Sequence, residues 1–129
     1  MPLVTIDSLP PTDAHAIPQM LANIRDAGAK ALQCPQSNVW VIFRAIETGY
    51  YVQGDTPVTT PQEKSHPPIV GIRAHVGRTQ EMRSAFVAAI ADAVSKGLSI
   101  PKENVWIHYQ ETQLEDVWFE GYWGRGSSK

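Results

Sequence analysis

A proline in second place becomes, once Met1 is removed, a secondary amine at the chain terminus, a titratable group that no internal proline offers. A free α-amino group titrates near about 7.7–8.0 in water, and an apolar pocket or a neighbouring arginine disfavours its cation, moving that value toward working pH, where a general base is most effective. Such an amine can take a proton from a carbon beside a carbonyl and return it elsewhere. A retained methionine would instead leave the Pro2 nitrogen as an amide with no lone pair free to accept a proton.

The residues around this proline occur twice. Pro2-Leu3-Val4-Thr5-Ile6 returns as Pro68-Ile69-Val70-Gly71-Ile72, and Pro35-Gln36-Ser37-Asn38-Val39-Trp40 returns as Pro101-Lys102-Glu103-Asn104-Val105-Trp106, both at an offset of 66 residues and without a gap. A duplicated small unit is the architecture this pattern predicts. In each copy an alternating strand pattern (Leu3 to Leu9 in the first) leads into a helical stripe, Ala16, Met20, Ile24, Ala27, Ala31 and then Met82, Phe86, Ile90, Ala93, Gly97. Pro18 is tolerated only in a first turn, so the first helix starts near Ile17 or bends there. Runs rich in Val, Ile, Trp, Phe and Tyr follow at Asn38 to Ile46 and Asn104 to Glu111, giving β-α-β twice.

The expected fold is α/β: two β-α-β units, residues 2–46 and 68–111, forming a four-stranded sheet with two helices on one face. Residues 47–67, with three prolines and two glycines, are expected to be an irregular connecting arm. Residues 117–129 form a tail whose four aromatics within Trp118 to Trp123 need burial, for which a subunit interface is the expected place. A length of 129 residues suits a single domain that buries about two thirds of its unfolded surface.

Composition narrows the partners. A net charge of -2 with eleven scattered Lys and Arg gives no basic footprint for nucleic acid. The most apolar stretch, Ala85 to Val94, is interrupted by Asp92 and falls far short of the roughly 20 residues that span a bilayer. One cysteine, Cys34, excludes an internal disulfide, and a start without a basic head and apolar run points to a cytoplasmic protein. No metal-binding spacing links Cys34 with the four histidines, so neither metal nor cofactor is expected.

The Pro2 start, Val76-Gly77-Arg78-Thr79 before the second helix, the Ile100-Pro101-x-x-Asn104-Val105-Trp106 turn and the Trp118 to Gly121 tail together resemble the tautomerase superfamily, over nearly the whole chain. The second half is similar to a 4-oxalocrotonate tautomerase subunit, and the length is similar to the fused members, malonate semialdehyde decarboxylase and cis-3-chloroacrylic acid dehalogenase among them. The resemblance implies a homotrimer with the N-terminal proline at the base of each pocket, acting on a small 2-keto or enol carboxylic acid. It makes Pro2 the general base and acid, and Arg78 the planar fork that holds the carboxylate and steadies the developing enolate. Thr12 stands where the first copy would need its arginine, so one competent site per chain is expected.

Other positions of the family pattern are filled differently here. Trp106 replaces a second arginine of the tautomerase, His75 and His108 replace a substrate arginine and a water-activating tyrosine of the dehalogenase, and Asn38 replaces the decarboxylase aspartate, whereas Glu120 matches the dehalogenase glutamate. Arg73, His75, Trp106, His108, Trp118 and Glu120 are therefore the candidate substrate-binding residues beside Pro2 and Arg78. Hydration, dehalogenation or decarboxylation of a small unsaturated or 3-oxo acid stays open as an alternative, as does a non-catalytic protein retaining Met1.

Overall fold

The computed structural model describes residues 1–124. Its main sheet contains β1 (Leu3–Ser8), β2 (Trp40–Ala45), β5 (Ile69–His75) and β6 (Trp106–Thr112), in the order β2-β1-β5-β6. β1 runs parallel to β2, β5 runs parallel to β6, and β1 meets β5 antiparallel at the centre. Parallel neighbours need a crossover, and α1 (Ile17–Leu32) and α2 (Gln80–Leu98) supply the two. The repeat is visible in the register itself, since Leu3 pairs with Trp40 and Ile69, 66 residues later, pairs with Trp106. Likewise Trp40 N–H donates to the Pro2 carbonyl at 3.0 Å and Trp106 N–H to the Pro68 carbonyl at 3.1 Å.

Alternation along the central strands explains the layers. Val4, Ile6, Val70 and Ile72 face the helices and are buried, with Ile24, Phe86, Ile90 and Val94 opposite them. Burying each such side chain contributes about 1.5–3 kcal/mol, so this interior carries the fold. The first helical stripe differs from expectation: Met20, Ile24, Gly28 and Leu32 turn inward, Ala27 and Ala31 are only half-buried, and Ala16 lies outside the α-helix. In α2 the buried positions are Phe86, Ile90 and Val94, with Gly97 exposed. Gly28 makes room for a neighbour, because a Cβ there would lie 2.8 Å from the Phe86 ring.

A 3-10 turn, Ala14–Ala16, capped by Asp13, precedes α1, and Pro18 falls in the helix's first turn. The arm is more ordered than its composition suggests. It contains a short hairpin, β3 (Val52–Gln53) and β4 (Thr56–Pro57), and buries Val58 and Ser65. Its end is tied to the second unit where Asn104 Nδ2 donates to the Gln62 carbonyl at 2.8 Å and His66 Nδ1 meets the Asn104 carbonyl at 2.7 Å. The tail forms a second hairpin, β7 (Trp118–Phe119) and β8 (Tyr122–Trp123); residues 125–129 of the expected tail lie outside the described residues.

Candidate active site

Antiparallel pairing of Leu3 with Arg73 carries the start of β1 to the end of β5. Beyond His75 the chain turns at Gly77, whose φ of +114° is a conformation side chains rarely adopt, and delivers Arg78 just before Thr79. The Thr79 hydroxyl accepts from Met82 N–H at 3.1 Å and caps α2, fixing where the helix begins. Arg78 Nη1 donates to the His75 carbonyl at 3.4 Å, so the turn holds the guanidinium close to the strand end.

The chain terminus sits in the same corner. Partial burial of the Met1 amine and, next in size, the positive charge of Arg78 both hold it below the 8.0 of an ordinary terminal amine, with Cys34 opposing them. Pro2, one residue further in, is fully buried and faces the helix layer with Val4 and Ile6.

On the other side of Met1 lies a cavity of about 450 Å³. Leu3, Arg73, His75, Trp118 and Phe119 line it, together with Trp40 and Thr112. His75 Nδ1 is 2.9 Å from the Val76 carbonyl, so Nδ1–H donates to that oxygen and Nε2 is the ring nitrogen not engaged there. Trp118 packs edge-on against Trp123, with centroids 5.2 Å apart. The wall is mostly apolar with a few cationic or polar groups, a composition suited to a small acid with an apolar body.

The structure brings Arg73, His75 and Trp118 together beside Met1. It does not bring the remaining candidates into that lining. Arg78 is not on the cavity wall; its guanidinium is held at the His75 carbonyl, and its charge acts on the Met1 amine. Trp106 and His108, with rings 6.1 Å apart, line a groove of about 410 Å³ on the open sheet face, which Arg73 also borders. Glu120 is exposed at the tip of the β7–β8 hairpin with φ +53°, and it does not line the cavity.

Trp40, Thr112 and Phe119 are lining residues that the sequence reading passed over. Phe119 had a signal: Glu120-Gly121, both at positive φ, is a two-residue hairpin turn that folds the aromatic tail back on itself.

Residues 68–122 match the family model described as tautomerase enzyme. A probable tautomerase of Listeria monocytogenes is 37% identical over 49 residues, which are 38% of this chain and 80% of that protein, and a probable tautomerase of Listeria innocua matches equally. Among solved structures, a fused 4-OT solved as an asymmetric trimer superposes with a TM-score of 0.88 at 13% identity, covering 98% of this chain and 99% of that one. A member of the cis-3-chloroacrylic acid dehalogenase family superposes with a TM-score of 0.75 at 20% identity, covering 98% and 88%. At such identities these structures share the fold, while the identity to the Listeria proteins and the family match place the sequence: the chain belongs to the tautomerase family.

Proposed function

We propose that this protein is a tautomerase that moves a proton within a small 2-keto or enol carboxylic acid, using Pro2 as base and acid after removal of Met1. The observation that carries the reading is the partly buried terminal amine, whose cation is disfavoured by burial and by the charge of Arg78. Loss of Met1 passes the terminus to Pro2, deeper in the same corner, and opens the cavity toward Arg78. Arg78 then pairs with the substrate carboxylate and stabilises the enolate oxygen, while Arg73 and His75 border the cavity that receives the rest of the molecule. Trp118 and Phe119 supply the apolar wall.

Adding water to an unsaturated acid, or decarboxylating a 3-oxo acid, calls for a protonated Pro2 with a pKa well above 8. Burial and Arg78 lower the Met1 amine, and a Pro2 terminus in the same corner would feel both in the same direction, which favours keto-enol transfer. We further propose a homotrimer. Trp40 and Trp106, 47% and 48% exposed, stand with Ile42 on the helix-free sheet face, an apolar area that copies of the chain would cover, and the fused 4-OT relative is itself a trimer.

Two measurements test this. Intact mass of native, untagged protein is expected to lack methionine, and ketonisation of phenylenolpyruvate is expected to be lost in Pro2→Ala. A retained methionine, or an unchanged rate in the variant, removes Pro2 from the mechanism.

A further inference from the structure

The 3-10 turn that leads into each edge strand is built alike in the two units. Gln36–Asn38 follows Pro35, and Lys102–Asn104 follows Pro101. Asn38 N–H donates to the Pro35 carbonyl and Asn104 N–H to the Pro101 carbonyl, both at 3.0 Å. Two residues on, Trp40 and Trp106 are tied to the carbonyls of Pro2 and Pro68. Each asparagine is therefore carried to the equivalent place beside its proline, but the two side chains meet different surroundings.

Asn104 is fully buried, and its Nδ2 donates to the Gln62 carbonyl of the arm at 2.8 Å. Pro61, the chain neighbour of Gln62, lines the small space around Pro68 together with Pro67. A neutral carbonyl oxygen thus lies next to the Pro68 corner with an asparagine amide as its donor. Asn38 is only half-buried, and among the described residues its side chain makes no hydrogen bond. Trp40, just beyond it, lines the cavity beside Met1, so the turn adjoins the candidate site. Where the arm satisfies one amide, the other is left for a ligand to satisfy.

We propose that Asn38 is a substrate-binding residue of the Pro2 site, its Nδ2 donating to the C2 oxygen of the bound keto acid as Asn104 Nδ2 donates to the Gln62 carbonyl. The proposal rests on the reading that a keto or enol acid occupies the Pro2 corner once Met1 is removed. Arg78 supplies the charge that a carboxylate calls for, and the neutral amide adds a donor at the C2 oxygen. When a proton leaves C3, that oxygen gains charge and the bond to it strengthens, so the amide favours the enolate over the ketone.

The test compares two acids of similar shape, phenylpyruvate, which has the C2 oxygen, and 3-phenylpropionate, which lacks it. Calorimetric titration of each into native protein is the readout, and it requires no turnover. Asn38→Ala is expected to weaken phenylpyruvate about five- to tenfold, the value of one hydrogen bond, and to leave 3-phenylpropionate within about twofold. Ketonisation of phenylenolpyruvate is expected to fall about tenfold or more in kcat/KM. The thermal midpoint of the ligand-free variant is expected to be unchanged, since no bond of the free protein is removed. Asn104→Ala, which strips the Gln62 carbonyl of its donor, is expected to lower the midpoint and leave both affinities alone.

Equal weakening of the two acids, or parental affinity for both in Asn38→Ala, overturns the proposal, and full ketonisation in that variant spares the functional reading. A binding difference that persists in a protein without tautomerase activity sinks the functional reading and leaves Asn38 in its binding role.

Discussion

The two β-α-β units share strand register, helix order and the hydrogen bond that pins each proline, yet they diverge at the corner where that proline sits. In one corner the Met1 amine, under the influence of Arg78 and Cys34, borders a cavity of about 450 Å³. The equivalent corner holds Pro68, Thr12 and Ile100 around a space of only about 80 Å³, closed by Pro61 and Pro67 of the arm. The connection that fuses the copies enters through the second proline, so that nitrogen is an amide and its pocket is filled with chain. On the proposed removal of Met1 only Pro2, and not Pro68, can become a titratable amine, and the Pro68 corner, with Thr12 at the position equivalent to Arg78, is an apolar joint. The lesson is that the fold specifies a place for a proline, while a free terminus and a nearby arginine specify what the proline can do.

Exchanging each proline in turn gives the widest contrast. Pro2→Ala is expected to lower kcat/KM about a hundredfold or more, the range of a lost general base. Pro68→Ala should leave turnover within about twofold, because an amide nitrogen contributes no proton transfer. Steady-state ketonisation rates on both variants check this, and equal losses would erase the distinction between the corners.

Arg78→Ala comes next. Losing a charge-assisted pair of about 1.5–3 kcal/mol is expected to cost about 10- to 100-fold in kcat/KM. The pH profile gives the sign. A base must be neutral to accept a proton, so rate rises with pH through the amine's pKa; burial and Arg78 lower that of the Met1 amine, and a Pro2 terminus in the same corner is expected to be lowered likewise. Removing the guanidinium lets the amine pKa climb, so the acidic limb of kcat/KM should move to higher pH. A limb that stays in place would show that the two groups do not interact in solution.

Much of this was legible in the residues because the duplication acts as an internal alignment. An ungapped offset fixed both strand pairs and both helices, and Pro18 marked the start of α1 as proline must. The shift of the buried stripe to Gly28 and Leu32 was not legible, because small residues give little periodic signal and the choice among them is set by the opposing helix. Arm order escaped for a related reason: the bonds from Asn104 and His66 join segments far apart in sequence, and proline-rich composition hides a two-residue hairpin. Among the candidate site residues, Pro2 stood out as the proline that can become a terminal amine, Arg78 and His75 came from the family resemblance, and Arg73 from its place on β5. Phe119 looks like an ordinary packing aromatic until its partners are placed.

The helix pair sharpens the comparison at the level of packing. Gly28 corresponds to Val94 and Met20 to Phe86, so the larger side chain of one helix is matched by a missing one on the other. Gly28→Ala would gain about 1 kcal/mol in helix propensity, but its methyl would press on a fully buried ring, and overpacking costs about 1–3 kcal/mol. A net loss in denaturant midpoint is expected, and Phe86→Leu in the same background should recover part of it. A gain in midpoint from Gly28→Ala alone would mean the helices adjust freely.

The smallest effect comes from writing the second unit's hydroxyl into the first unit. Phe43→Tyr places on β2 what Tyr109 carries on β6, but Ile17 and Ala45, equivalent to Arg83 and Glu111, offer it no ion pair. Phe43 is half-buried against the core, so the new hydroxyl must either lose hydration or push toward solvent. A destabilisation of about 1 kcal/mol, read as a lower denaturant midpoint at constant m-value, is the expected result, with ketonisation unchanged. If the variant is as stable as the parent, a phenol is accommodated equally well in either unit, and this asymmetry between them loses its energetic basis.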